Sequence, residues 1–167
     1  KNHSANYDIT VKKSNTTDNT LKKDDNGKYA EYVVDVSSEK GTPDVITLND
    51  VLEAGKMSVD TSKFTYTITK NGQQVGGEYT ANVTASSNND NNNHKYNLTA
   101  TLPKLNAGES CQIKYKYYYD TSLCDSGNES QASNKVTGES INKKSNEKVI
   151  DTSSSVIKYT RDDLDKT

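Results

Sequence analysis

The chain has no tryptophan, one phenylalanine, one methionine, two prolines and two cysteines in 167 residues. The shortage of large apolar side chains means a thin core. Val, Ile, Leu and Phe total 28 residues (12, 7, 8 and 1), about one in six, a share that alone leans towards disorder. Charge points the other way: 21 basic and 23 acidic residues leave a net charge of -2, without the net repulsion that holds a disordered segment open. No run of about 20 apolar residues exists, which excludes a membrane-spanning helix. No basic cluster carries interleaved stacking aromatics, so nucleic acid is not an expected partner. Neither a G-x-S-x-G elbow, a phosphate loop nor a zinc signature is present, which removes support for hydrolytic, nucleotide or cofactor chemistry. His3 and His94 lie in polar stretches without partners at metal-ligand spacing. The acidic stretches DTSLCDSGNES and RDDLD do not match a twelve-position calcium loop, so no metal is expected.

What the chain does have is alternation. Short apolar runs punctuated by Gly, Asn, Asp and Ser predict strands near 7–13, 29–37, 44–49, 63–70, 78–85, 95–102, 111–119, 131–138 and 147–160, with turn signals at DDNG, NGQQ, NAGE and DSGN. Eleven tyrosines make up for missing apolar volume, and the KYKYYY run reads as a sheet face. NDVLEAG is expected to form at most one helical turn. About nine strands at this spacing predict an all-β, immunoglobulin-like antiparallel sandwich over 7–160, with linkers at 1–6 and 161–167. SSNNDNNNH is a polar, low-complexity loop expected to be exposed and mobile. The opening at Lys1 without a leader and the ending RDDLDKT without a sorting motif suggest a segment of a longer protein.

Three polar residues break the apolar faces. Successive strand side chains alternate, so Lys13 shares a face with Ile9 and Val11, Asp50 with Ile46 and Leu48, and Asn134 with Val136. Each has an ordinary explanation alone: a lysine reaching solvent, a capping aspartate, an asparagine before a turn. Together they would place an amine, a carboxyl and a primary amide in one core.

The order of these features, a first strand ending in Lys, then TLNDVL, then LPKLNAGES before an aromatic strand, then ASNKVTG, resembles the isopeptide-forming domains of Gram-positive adhesins and pilins. It is most similar to their collagen-adhesin A-type branch, over roughly residues 7–160. The resemblance implies Lys13 as nucleophile, Asn134 as electrophile and Asp50 as catalytic acid. It also implies an extracellular, wall-anchored stalk or pilin with neighbouring domains of the same protein, and host matrix or glycans as candidate partners. Lys12 stands beside Lys13, and a bulge in the first strand would exchange them.

The chemistry also follows from burial. A lysine attacks only as the neutral amine, which desolvation favours. A buried Asp50 that carries a proton could polarise the Asn134 carbonyl and pass a proton to the leaving ammonia. Folding supplies proximity. The event would be a single turnover, not enzymatic catalysis, and would close a loop of about 120 residues, stabilising by roughly 4 to 5 kcal/mol on the disulfide analogy. The second expectation, of a different class, is a ligand-binding adhesin module that uses loops 86–95 and 120–130. A third is an uncross-linked sandwich accessory to a carbohydrate-active enzyme.

Cys111 and Cys124 are expected to stay unbridged. A strand over 111–119 spans about 27 Å, and five further residues return at most about 18 Å, which leaves more than the roughly 7 Å a disulfide tolerates. Cys111 and Gln112 are the residue types of an adhesin thioester, but neighbours on a strand face opposite ways. Sequons at Asn2, Asn15, Asn82, Asn97 and Asn128 arise readily in an Asn-rich chain.

Overall fold

The computed structural model describes residues 7–17, 19–76, 79, 81–125, 130–141 and 148–159. The expected linkers 1–6 and 161–167, with His3, Asn2, Asn128 and RDDLD, lie outside these residues. Twelve strands are formed among the described residues: β1 (Asp8–Asn15), β2 (Lys22–Asp24), β3 (Gly27–Lys40), β4 (Ile46–Gly55), β5 (Ser58–Val59), β6 (Thr65–Lys70), β7 (Gln73–Val75), β8 (Ala81–Ala85), β9 (His94–Thr101), β10 (Ser110–Asp120), β11 (Ser130–Ile141) and β12 (Lys148–Tyr159). One sheet runs β1-β3-β10-β6-β7, with β2 beside β3 and β5 beside β10, and the other runs β12-β11-β4-β9-β8. All pairings are antiparallel. The fold is an all-β sandwich of immunoglobulin-like kind.

Each of the nine expected strands has a counterpart. The three additional ones, β2, β5 and β7, hold only two or three residues, too short for alternation to show. NDVLEAG is not helical. Asn49–Gly55 continue β4, because Asp50, Leu52 and Ala54 alternate inward while β9 and β11 satisfy the backbone on either side. The one helical turn among the described residues is a 3-10 turn at Thr61–Lys63, capped by Asp60, whose side chain accepts from the Ser62 N–H. The NG signal does form a tight hairpin: Asn71 (φ 53°) and Gly72 (φ 76°) both take the left-handed conformation between β6 and β7, which matches the twist of the flanking strands.

Alternation builds the core directly. β3 turns Tyr32, Val34 and Val36 inward, β10 turns Ile113, Tyr115 and Tyr117, β4 turns Ile46, Leu48 and Leu52, and β9 turns Tyr96, Leu98 and Ala100. Tyrosine thus supplies the volume that phenylalanine and tryptophan would otherwise give, and its hydroxyls bring polar groups into the interior. The sandwich is closed on one side where β1 meets β12. The Val11 N–H donates to Asp151 Oδ2 at 2.7 Å and the Lys13 N–H to Ser153 Oγ at 3.0 Å, so β12 side chains satisfy donors that an edge strand would leave open. Gly138 on β11 permits this approach: a Cβ there would stand 2.5 Å from Val11 Cγ2.

Candidate functional site: a buried Lys-Asp-Asn cluster between the sheets

β1 runs without an interruption at its two lysines, so Lys13 follows Ile9 and Val11 inward and Lys12 is exposed. Its partner on β3 is Val34, and Tyr32 lies one diagonal step away. The Lys13 Nζ passes 4.2 Å from the centre of the Tyr32 ring and 4.7 Å from that of Tyr115. Asp50 lies in the middle of β4, opposite Val136 of β11 and Leu98 of β9. Asn134 pairs with Leu52 on β4, which sets it diagonally beside Asp50 on the same face. Lys13 therefore comes from one sheet, and Asp50 and Asn134 from the other. Exposure is 7% for Lys13, 0% for Asp50 and 1% for Asn134.

The Asp50 carboxylate joins the other two. Its Oδ2 accepts from Lys13 Nζ at 2.9 Å and from the Tyr115 hydroxyl at 2.5 Å. Its Oδ1 accepts from Asn134 Nδ2 at 2.6 Å and from the Tyr117 hydroxyl at 2.8 Å. Lys13 Nζ also donates to the Tyr115 oxygen, Asn134 Nδ2 donates to the Val51 carbonyl at 3.3 Å, and the Tyr115 hydroxyl reaches Asn134 Oδ1 at 3.5 Å. The two tyrosines are neighbours of the cluster that sequence reading missed. The available signal was that Tyr115 and Tyr117 alternate on one strand and so share a face, but nothing local says which polar groups that face meets.

Burial pushes the Lys13 ammonium below the ordinary lysine range, and the adjoining Asp50 charge and hydrogen bond oppose it only in part. This is the direction that makes an amine nucleophilic. Burial also drives the Tyr115 and Tyr117 phenols far above their usual range, assisted by the charge of Asp50, so both remain hydrogen donors. An ion pair in such a place gains little net stability, because the desolvation cost of two charges rivals their attraction. A reaction that consumes the amine and removes the charge pair would relieve that cost.

The other candidate residues are not drawn together. Cys111 and Cys124 are both buried and no disulfide links them. Burial pushes the Cys111 thiol up to about 12. Gln112 faces the opposite way and donates to Asp35 Oδ1 at 3.0 Å, so the two thioester residue types are separated by the alternation of β10. His94 Nδ1 lies 2.7 Å from the Gly55 carbonyl oxygen, and among the described residues no three His, Cys, Asp or Glu gather where a metal could sit. Among them also, no helix is long and apolar enough to cross a membrane.

The Asn-rich stretch is exposed and hydrogen-bonded to itself. The N–H groups of Asn92 and Asn93 donate to Asp90 Oδ1 at 2.9 and 3.0 Å, and Asn89 Oδ1 accepts from the Lys95 N–H at 2.7 Å. It forms one wall of a polar cleft of about 590 Å³. Glu53, Lys56, Asn93, Lys95 and Asp125 are among the lining residues. The described parts of the two loops expected in a ligand-binding module thus meet on one face.

No family model matches the chain, and no curated protein matches it. Among solved structures, the collagen-binding domain from a Staphylococcus aureus adhesin is similar over 96% of this chain and 100% of its own length, at 16% identity and a TM-score of 0.43. The collagen-binding subdomain of the Enterococcus faecalis surface protein ACE aligns over the same shares at 6% identity and a TM-score of 0.36. AvmM, which catalyses macrocyclization in alchivemycin A biosynthesis, aligns over 93% of this chain and 89% of its own at 11% identity and a TM-score of 0.49. Two of these are bacterial collagen-binding domains and the third is a biosynthetic enzyme. Likeness at these scores assigns the chain neither a family nor a function.

Proposed function

We propose that this domain is a structural module of a bacterial surface adhesin or pilus, stiffened by a self-formed amide bond between Lys13 and Asn134 with Asp50 as proton carrier. One observation carries the reading: a single buried carboxylate holds Lys13 Nζ at 2.9 Å and Asn134 Nδ2 at 2.6 Å, each partner on a different sheet. Asp50 takes a proton from the amine on one side and stands ready to deliver one to the departing nitrogen on the other. Lys13 Nζ attacks Asn134 Cγ, the Cγ–Nδ2 bond breaks, and ammonia leaves. No co-reactant is needed, and the event happens once per chain.

The position of the bond explains its use. It would tie β1 to β11 across the core, and tension entering through β1 would pass to β11 and β12 without extending the chain between residues 14 and 133. At rest, the closed loop of about 120 residues contributes roughly 4 to 5 kcal/mol, by analogy with disulfide loops. Gram-positive origin and wall anchoring belong to this proposal through the sequence resemblance.

The test is the intact mass of the purified, reduced protein. A deficit of about 17 Da, one ammonia, is expected, absent in Asp50→Ala, which leaves the two side chains unjoined. A full calculated mass for the wild-type protein would refute the cross-link.

A second reading, a ligand-binding adhesin module, is favoured by the polar cleft between the Asn-rich loop and Asp125. Saturable binding to immobilised collagen or to a glycan array, lost on substitution of Asn93 and Lys95, would support it. The two readings are compatible, since the cleft and the buried cluster use different residues.

A further inference from the structure

We infer that Tyr115 is a second catalytic group of the cross-linking step, its hydroxyl holding the oxyanion that forms on Asn134 Oδ1. The inference rests on the Lys13–Asn134 reading and adds a residue to it.

The Tyr115 hydroxyl touches every participant. It accepts from Lys13 Nζ, donates to Asp50 Oδ2 at 2.5 Å, and lies 3.5 Å from Asn134 Oδ1. Tyr117 differs in that it donates to the other carboxylate oxygen, Asp50 Oδ1, at 2.8 Å. Tyr115 therefore stands on the side where the amine attacks and Tyr117 on the side where the amide nitrogen is held.

The contacts also give an order of events. While Lys13 is charged, its proton points at Asp50 Oδ2 and Tyr115, and the Tyr115 proton is committed to the same Oδ2. Transfer of the lysine proton to Oδ2 leaves a neutral amine and a neutral acid, and Oδ2 then no longer needs the tyrosine as donor. The hydroxyl can turn to Asn134 Oδ1, its other acceptor within reach. Attack of Nζ on Cγ places negative charge on Oδ1, where the phenol donates, and positive charge on Nζ. The extra Nζ proton passes to Asp50 as Asp50 delivers its own to Nδ2. Collapse of the oxyanion breaks Cγ–Nδ2, ammonia departs, and the Tyr115 proton remains on the phenol. Atoms and charge balance without an outside reagent. Burial keeps Tyr115 protonated throughout, and a donor preorganised in a water-free site stabilises an oxyanion far better than one in water.

The experiment follows intact mass with time during cell-free synthesis, quenching samples in acid. Tyr115→Phe deletes one oxygen and is expected to slow the loss of ammonia by about 10²- to 10³-fold, the usual effect of removing one oxyanion donor. Tyr119→Phe is the control, since Tyr119 is buried on the same strand and, among the described residues, its hydroxyl is hydrogen-bonded to none of Lys13, Asp50 and Asn134; it should cross-link at the wild-type rate. If Tyr115→Phe fails to fold by near-ultraviolet circular dichroism, 3-fluorotyrosine placed at position 115 keeps the hydroxyl and strengthens it as a donor. A changed rate and a shifted pH-rate profile are then expected. Tyr115→Phe folding and cross-linking as fast as wild type, or an unchanged rate and profile with 3-fluorotyrosine, would overturn the role of Tyr115 alone. A wild-type chain that keeps its full mass would instead overturn the cross-link beneath it.

Discussion

Two Lys–Asp pairs lie at nearly the same distance in this molecule and have opposite prospects. Lys56 and Asp125 approach to 2.7 Å at the mouth of the polar cleft, with side chains 34% and 56% exposed, whereas Lys13 and Asp50 approach to 2.9 Å with both side chains at 0%. Coulomb attraction at such separations is about 1 kcal/mol in water and several-fold larger where water is excluded. The exposed pair is hydrated whether or not it forms, so forming it changes little. The buried pair has no such alternative: its charges must be paired, neutralised or consumed. Distance is thus a poor guide to what an ion pair does, and the surrounding dielectric decides what it costs to keep both charges.

The largest effect should come from removing a reacting partner on the buried side. Lys13→Ala and Asn134→Ala are each expected to restore the full mass and lower the melting temperature by roughly 10–20 °C, from the 4 to 5 kcal/mol of a closed loop in a domain of this size. Lys12→Ala, one residue away and exposed, should keep the mass deficit. The reverse pattern would exchange the two lysines and show that β1 carries a bulge beside them in solution.

A middling effect should come from loosening the approach of β1 to β11. Gly138→Ala puts a methyl group 2.5 Å from Val11 Cγ2 and 3.4 Å from Leu48 Cδ2. Val11 is β-branched and stiff at χ1, so the strand must yield, at a cost of about 1–3 kcal/mol. Because Lys13 is two residues further along the same face, this substitution should also slow cross-linking, which the mass time course would read. Destabilisation without slowing would show that the strands separate away from the reacting centre.

The smallest effect is expected on the exposed pair. Lys56→Ala should change unfolding free energy by no more than about 0.5 kcal/mol in a urea titration, and salt should reduce even that. A loss comparable to that of Lys13→Ala would abolish the contrast.

Much of this contrast was legible in the chain. Strand alternation alone turns Lys13, Asp50 and Asn134 inward, because a period of two leaves no other face once Ile9, Val11, Ile46, Leu48 and Val136 are buried. The same rule carries the nine longer strands and the separation of Cys111 from Gln112. Where the rule had too little sequence to act on, as in β2, β5 and β7, it was silent. In NDVLEAG, where at most one helical turn was expected, pairing with both β9 and β11 keeps the segment extended.

Alternation says which way a side chain points, never what it meets. That Asp50 lies between Lys13 and Asn134, that Tyr115 touches all three, and that a loop rich in asparagine and Asp125 share one cleft are matters of which strands are neighbours and in what register. Those relations join residues 37, 65 and 84 positions apart. The sequence by itself determined an all-β chain with three polar groups facing inward, because facing is a local property of extended backbone. Only the tertiary structure decided that the three meet, because the pairing and stacking of strands depends on how all of their faces are buried together.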